Sequence, residues 1–145
     1  MAKSRKVGME KRDIALAEIR RAIQLFRKAD YVCAATLAGA AEEILGRIAK
    51  KRAGHNALDG HEAFAAGMAE WFNVPAPDRA KVQAVMNRVR NECKHNDSGD
   101  NEWVEADFEY EAQELIDRAL RNWLFAYGSF PKDRIVAAYY TQYWL

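Results

Sequence analysis

The feature that most constrains this chain is the spacing of its apolar residues, which recur every three or four positions through most of its length. The clearest run lies between residues 106 and 127 and consists of Phe108, Ala112, Leu115, Ile116, Ala119, Trp123 and Tyr127. Such intervals are typical of an amphipathic helix. No stretch shows the strict alternation of apolar and polar residues that indicates a half-buried strand. The pattern therefore predicts an all-α fold.

Capping residues, glycines and prolines divide the rest of the chain into further helices. We expect helices over 13–28, between Asp30 and Gly54, over 62–72, between Asp78 and His95, over 106–127, and a short one from Pro131. Turn formers predict loops over 55–60, 73–77 and 96–100. At 145 residues, half of them apolar, the chain fits a single-domain antiparallel bundle of about five or six helices. We expect residues 1–10 to be a flexible basic N-terminus and 131–145 a short C-terminal helix or tail.

Several side chains are expected in the core. In the fourth helix the apolar positions are Val82, Val85, Met86, Val89 and Cys93. Cys33 and Cys93 lack a paired or metal-type spacing, which favours reduced core residues in a cytoplasmic protein. We expect the aromatic residues near the C-terminus to pack on the bundle or on a second subunit. Charges interrupt every long apolar stretch, and no apolar run follows the basic start, so we expect no membrane span and no signal peptide.

The net charge of +1 conceals an uneven distribution of charged residues. Residues 1–28 hold nine Lys or Arg and three acids, and residues 79–95 hold five and one. Residues 96–117 hold nine Asp or Glu and no base. This asymmetry indicates either a basic face for a phosphate-bearing partner or complementary, solvated helix surfaces.

The segment 88–95, Arg-Val-Arg-Asn-Glu-Cys-Lys-His, gathers the groups that are most suggestive of chemistry. His95 can exchange a proton near neutral pH. Arg90 can hold two phosphate oxygens at once, and Asn91 can orient either group without adding charge. Lys94 and Arg88 are candidate substrate-binding residues. Cationic residues and His are also common at helix ends, where they complement the helix dipole, so a structural role stays open.

Helix geometry separates Arg90 from His95. Five residues on a regular helix turn the side chain by about 140° and advance it by about 7.5 Å. Both could reach one phosphate if Arg90 reached around the helix, if the helix ended before His95, or if a second chain contributed. The third route predicts a symmetric dimer.

The run Arg90-Asn91-Glu92-Cys93-Lys94-His95 resembles the Arg-x4-His signature of HEPN domains, a family of small helical bundles. The segment 37–46, Leu-Ala-Gly-Ala-Ala-Glu-Glu-Ile-Leu-Gly, is similar to the Ala-rich, Glu-containing early helix of many HEPN proteins. Glu42 and Glu43 lie where many relatives keep an acid, and one of them could pair with Arg90. Ordinary solvated charges are the alternative for both.

This resemblance implies a metal-independent endoribonuclease without a cofactor, acting as a homodimer in which the motifs of two chains share one cleft. His95 would activate the ribose 2′-hydroxyl or protonate the leaving 5′-oxygen. Arg90 would bind the scissile phosphate, and Asn91 would orient both. The product would carry a 2′,3′-cyclic phosphate, and the basic first and fourth helices could attract RNA.

The resemblance leaves two other readings open. The family also contains non-catalytic nucleotide-binding, nucleic-acid-binding or adaptor modules, and a structural helical dimer would need no chemistry at all. A toxin of a toxin–antitoxin pair would have a cognate antitoxin or nucleotidyltransferase as its partner. Some toxin relatives carry a Tyr two residues after the His, where such a partner modifies it. This chain has Asp97 there, which argues against neutralisation by that route.

Overall fold

The structure, a computed structural model, describes residues 5–96 and 102–145. It contains six α-helices: α1 (Lys11–Arg27), α2 (Tyr31–Ala53), α3 (Ala57–Trp71), α4 (Arg79–Lys94), α5 (Phe108–Tyr127) and α6 (Arg134–Tyr143). The described residues form no strand, and the prediction of an all-α bundle with five or six helices is confirmed. No helix in these two ranges combines the length and the apolar character needed to cross a membrane. Residues 5–10 are exposed and lie outside the helices.

The predicted helix ends follow from local chemistry. The side chain of Asp30 accepts a hydrogen bond from the Cys33 N–H and starts α2. Asp78 likewise caps α4. Gly54 and Gly128 end α2 and α5 in the left-handed conformation, with φ of 80° and 74°, which glycine adopts without a steric penalty. The predicted turn over 96–100 falls mostly on residues 97–100, outside the described residues.

The predicted loop over 55–60 is wrong from its third residue onward, because α3 begins at Ala57. Asn56 accepts a hydrogen bond from the Asp59 N–H, and the Asp59 side chain accepts one from the Asn56 N–H. This reciprocal capping box satisfies two orphan donors of the first turn. Asn and Asp in this stretch are therefore cap residues of a helix rather than turn formers.

The hydrophobic core lies among α1, α2, α5 and α6. Its largest members include Ile19, Ile23, Leu45, Leu120 and Tyr139. The face that α2 buries is made largely of small residues, namely Ala34, Ala35, Ala38, Gly39, Ala41, Gly46 and Ala49. Small side chains allow neighbouring helices to approach closely, and α2 packs against α1, α4 and α5. Helix α2 is therefore central in the bundle.

Helices α2 and α5 run in the same direction, whereas the sequence predicts an antiparallel bundle. Glu42 contacts Arg118, and Gly46 faces Asn122 one turn further along both helices. Between these two helices the chain forms α3, α4 and their connections, which allows it to return to the same end of the bundle. A parallel pair needs such a long crossover.

Helix α6 packs its aromatic residues on the bundle. The Tyr139 hydroxyl and the Trp144 Nε1 both donate to Asp117 Oδ1, at 2.8 and 2.9 Å. The helix starts at Arg134 with Asp133 as its cap, so Pro131 precedes it and is not in its first turn. The packing expected for the C-terminal aromatic residues is confirmed for Tyr139 and Trp144.

Helices α3 and α4 lie outside this core. Of the α4 residues predicted to face inward, only Val89 is buried. Val85 is exposed, and so are both Cys33 and Cys93, which corrects the prediction that the cysteines are core residues. Periodicity identified the apolar face of α4 but not what covers it, because nothing in the described ranges packs over Val85 and Cys93.

Candidate functional site

The candidate site is built on a buried carboxylate between two arginines. Glu42 of α2 has a buried side chain, and its Oε2 lies 3.0 Å from Arg90 Nη1 of α4. Its Oε1 lies 2.9 Å from Arg118 Nη2 of α5. One carboxylate thus joins three helices, and each of its oxygens has its own cationic donor. A charge in this position is stable only while its partners stay in place.

Gly39 makes room for the Arg90 side chain. A Cβ atom at position 39 would lie 2.7 Å from Arg90 Cδ and 2.9 Å from Cγ. These distances are below van der Waals contact, so any larger residue would displace the middle of the arginine. The Ala-rich segment of α2 therefore supplies both the acid that binds Arg90 and the gap through which Arg90 reaches that acid.

Arg118 and Asn122 complete the buried network, and the sequence reading missed both. Arg118 is fully buried, and its guanidinium also donates to the Met86 carbonyl at 3.1 Å and to Asn87 Oδ1 at 2.9 Å. Asn122 accepts from the Ala57 N–H at 2.7 Å. The sequence contained one signal for this network: Arg118 and Asn122 lie four positions apart beside the apolar stripe of α5. Such a pair indicates a buried polar network when the helix is central.

His95 lies at the end of α4, where the helix stops. Its backbone is extended, with φ −130° and ψ 147°, and its N–H donates to the Asn91 carbonyl. The helix thus ends before His95, which is one of the three conditions under which Arg90 and His95 could reach one phosphate. The exposed imidazole lines a depression of about 410 Å³ with Glu102 and Val104.

The structure does not bring Arg90 and His95 into contact. In the two described ranges no hydrogen bond or ion pair joins them, and Arg90 does not line the depression at His95. The Arg90 side chain is only 12% exposed. Asn91 is exposed, and its Oδ1 lies 3.5 Å from Arg90 Nε, which is at the limit of a hydrogen bond. Asn91 thus contacts both residues. Its side chain lies at the limit of hydrogen-bond distance from Arg90, and its backbone carbonyl accepts from the His95 N–H.

Lys94 joins the His95 depression to a basic groove. The groove, of about 450 Å³, lies between the start of α1, α2 and the end of α4, and Lys94 lines both cavities. We call it the basic groove; its charged residues are Lys11, Glu43, Arg47, Lys51 and Lys94. Its floor is formed by Ala40, Ile44 and Ile48. Four cations and one acid over an apolar floor form a surface that suits a chain of phosphates.

The basic groove continues past Lys51 towards Tyr127. Lys11, Arg12, Lys51 and Arg52 line a second depression with this tyrosine and with Glu10, which pairs with Arg12 at 2.8 Å. The guanidinium of Arg52 lies 4.7 Å from the centre of the Tyr127 ring. A cation held on a ring face adds positive potential at this end of the groove.

The remaining predicted residues lie apart from Arg90. Arg88 binds Glu92 at 2.8 Å and the Glu105 carbonyl at 3.2 Å, so its guanidinium is already engaged on the other side of α4. Glu43 pairs with Arg47 at 3.3 Å and belongs to the basic groove rather than to the Arg90 pair. Of the two acids that could support Arg90, Glu42 is the one that binds it.

The exposed thiol at the site is not an activated nucleophile. Partial burial, together with the carboxylates of Glu92 and Glu111, raises the pKa of Cys93 above its ordinary value. A raised pKa keeps the thiol protonated at neutral pH, and the thiolate is the nucleophilic form.

No cluster of three or more His, Cys, Asp or Glu side chains with the spacing of a metal site occurs in the described part of the chain. Comparison with known proteins adds no assignment, since the chain matches no family model, no curated protein and no solved structure.

Proposed function

We propose that this chain is a metal-independent endoribonuclease of the HEPN type. The observation that carries the proposal is the ion pair between Glu42 and Arg90. The resemblance to HEPN domains rests on two separate segments, the Glu-containing α2 and the Arg-x4-His run of α4. The ion pair joins these segments at the residues that the resemblance itself singles out. A helical bundle without ribonuclease activity would not require an acid of the first segment to pair with the arginine of the second.

In the proposed reaction the RNA backbone follows the basic groove to Lys94 and reaches the end of α4. His95 takes the proton of a ribose 2′-hydroxyl, and the resulting oxygen attacks the adjacent phosphorus. The bond from phosphorus to the 5′-oxygen breaks, and that oxygen receives the proton back from His95 by way of solvent. The products are a 2′,3′-cyclic phosphate and a free 5′-hydroxyl.

Arg90 stabilises the additional negative charge on phosphorus in this scheme. Glu42 engages Arg90 Nη1, and Nη2 makes no hydrogen bond to another residue in the described ranges. This second nitrogen is available to a phosphate oxygen, while Glu42 fixes the direction of the guanidinium plane. Asn91 orients the two groups, and a homodimer places two such motifs at one cleft.

The second candidate is a non-catalytic RNA-binding module of the same fold. The small exposure of Arg90 and its engagement by Glu42 favour it, because such an arginine can serve the bundle alone. The basic groove would then bind RNA without cleaving it. The two functions differ in one respect: binding tolerates the loss of His95 and cleavage does not.

The deciding experiment compares RNA cleavage by the wild type, His95→Ala and Arg90→Lys in the presence of a chelator. We expect cleavage by the wild type and losses of at least about 100-fold in both variants. Arg90→Lys keeps a positive charge beside Glu42 while the planar guanidinium is lost, and circular dichroism checks that each variant is folded. The matched control is His55→Ala, which removes an exposed imidazole elsewhere. Folded, inert protein in every case would support the binding module instead.

A toxin role is a separate part of the proposal. Induced expression of the wild type should arrest growth, and expression of His95→Ala to the same soluble level should not. Growth arrest that persists in His95→Ala would contradict a toxin role based on cleavage.

A further inference from the structure

Helix α3 presents an apolar face that no other part of residues 5–96 and 102–145 covers. Only Ala57 and Ala69 of its 15 residues are buried. Three large apolar residues in its second half and the C-cap residue share one side and are exposed: Phe64, Met68, Trp71 and Phe72. A helix of this length is marginal on its own and gains stability mainly by burying an apolar face. The α3 helix does not obtain this burial from the described residues.

The apolar surface extends onto the neighbouring helices. Phe64 lines a shallow groove of about 380 Å³ together with Val85 of α4 and Tyr110 of α5, and both of these are exposed. We call the whole surface the α3 face; it consists of Phe64, Met68, Trp71, Phe72, Val85 and Tyr110. Three helices thus contribute to one continuous apolar patch.

The α3 face is as large as the largest apolar patch of an ordinary monomer, and it supplies much of the area that one side of a stable interface buries. Its four aromatic residues are Phe64, Trp71, Phe72 and Tyr110, with exposures of 69%, 83%, 64% and 60%. At roughly 200 Å² for each ring, they expose about 550 Å² together. The largest apolar patch of an ordinary monomer measures about 300–600 Å² in all. One partner in a stable interface buries about 800 Å², so these four rings supply more than half of that area.

The shape of α3 suits a second copy of the same helix. Gly67 lies between Phe64 and Trp71 on the exposed side of α3. A Cβ atom at Gly67 would meet nothing within 4 Å, so a neighbouring helix can approach the backbone there. One helix therefore carries large rings beside an open backbone position, and a twofold-related copy offers the same bulk and the same space in return.

The rim of the α3 face is also self-complementary in charge. Lys81 of α4 is exposed and lines the groove beside Phe64, and Glu70 of α3 is exposed and precedes Trp71 in the chain; neither forms an ion pair within the described ranges. A rim with one sign of charge would favour a partner of opposite charge. A rim with both signs favours a second copy, which can set an acid against a base.

We propose that the α3 face is the interface of a homodimer in which α3 of one copy packs against α3 of the other. The inference adds a surface to the homodimer of the proposed function but rests on none of its chemistry. A chain that dimerises through this face and does not cleave RNA would therefore contradict the proposed function alone.

Sedimentation over a hundredfold range of concentration tests this interface. We expect the wild type to be a dimer, and Trp71→Glu and Phe64→Lys to be monomers with unchanged helical circular dichroism. The control is Val32→Lys, which places a charge on an exposed apolar residue of α2 outside the α3 face, and it should remain a dimer. A wild type that is monomeric throughout, or variants that dimerise as it does, would overturn the proposal.

Hydrogen exchange gives a second measurement on the unmodified protein. Amides of residues 60–72 should exchange at least several-fold more slowly as the concentration rises through the dimerisation range, while those of α6 should not change. Equal exchange in 60–72 at both ends of the range, in a protein that dimerises, would place the interface elsewhere and overturn the proposal.

Discussion

Arg90 Nη1 lies 3.0 Å from Glu42 Oε2, although the two residues are 48 positions apart in the chain. The contact crosses from α4 to α2 and passes over Gly39, whose missing side chain leaves space for the arginine. Since α4 buries little else, this pair is a main attachment of the Arg-x4-His segment to the core.

Replacing Glu42 by Gln should strongly destabilise the protein. The substitution leaves Arg90 and the fully buried Arg118 without a counter-charge, and removing one partner of a buried ion pair typically costs about 3–5 kcal/mol. Chemical denaturation monitored by circular dichroism measures the effect. The control is Glu43→Gln, which removes an exposed pair with Arg47 and should cost at most about 1 kcal/mol. Equal losses in the two variants would show that the buried network does not hold the bundle together.

Replacing Gly39 by Ala should displace Arg90 from Glu42. The new Cβ would lie 2.7 Å from Arg90 Cδ, and overpacking of this kind costs about 1–3 kcal/mol. The variant should lose stability, and under the proposed function it should also lose RNA cleavage. Gly60→Ala is the control, because a Cβ there meets nothing; it should be neutral or slightly stabilising, by up to about 1 kcal/mol. A stabilised Gly39→Ala protein with full activity would contradict this role of Gly39.

Lowering the pH below about 6.5 should destabilise the protein through His61. Burial lowers the pKa of His61, and Arg118 and Arg121 act in the same direction against Glu114. The folded state therefore binds a proton less readily than the unfolded state, and the free energy of unfolding falls as the pH drops through this range. His61→Gln should flatten that fall, and the control His55→Gln removes the same kind of side chain at an exposed position. Identical pH profiles for wild type and His61→Gln would contradict this assignment.

Neutralising the basic groove should weaken RNA binding at every sequence. Lys51→Gln and Lys94→Gln each remove a cation that lines the groove, and the salt dependence of binding should become shallower by about one unit per lost phosphate contact. Filter binding of a random-sequence RNA at several salt concentrations measures both effects. Lys28→Gln, in the turn between α1 and α2, keeps the groove intact and should bind as the wild type does. Unchanged salt slopes in the groove variants would place the RNA elsewhere.

The sequence predicted most of the fold where one helix face is apolar and buried. The stripes of α1 and α5 contain Ile19, Ile23, Leu115 and Ile116, all of them in the core. The same reasoning failed for α4, because periodicity shows that a face is apolar without showing what covers it. The sequence also did not predict that α2 and α5 pack in parallel, because their relative direction depends on the path of the chain between them.

The candidate site was predictable in part. The pairing of an acid in α2 with Arg90 was among the expectations, and Glu42 provides it. The pairing of Arg118 with Glu42 was not predicted, because the sequence alone does not distinguish a buried arginine in a helix from a solvated one. The basic groove combines residues from the start of α1, from α2 and from the end of α4, and only the fold brings Lys11, Arg47 and Lys94 together.

The most direct test of the proposed function compares two random-sequence RNA pools that differ only at the ribose 2′ position, one with hydroxyl groups and one fully 2′-O-methylated. With a chelator present, we expect the wild type to bind both pools and to cleave only the first, leaving 2′,3′-cyclic phosphate ends. Cleavage of the methylated pool, or cleavage of the first pool that persists unchanged in His95→Ala, would contradict 2′-hydroxyl attack assisted by His95.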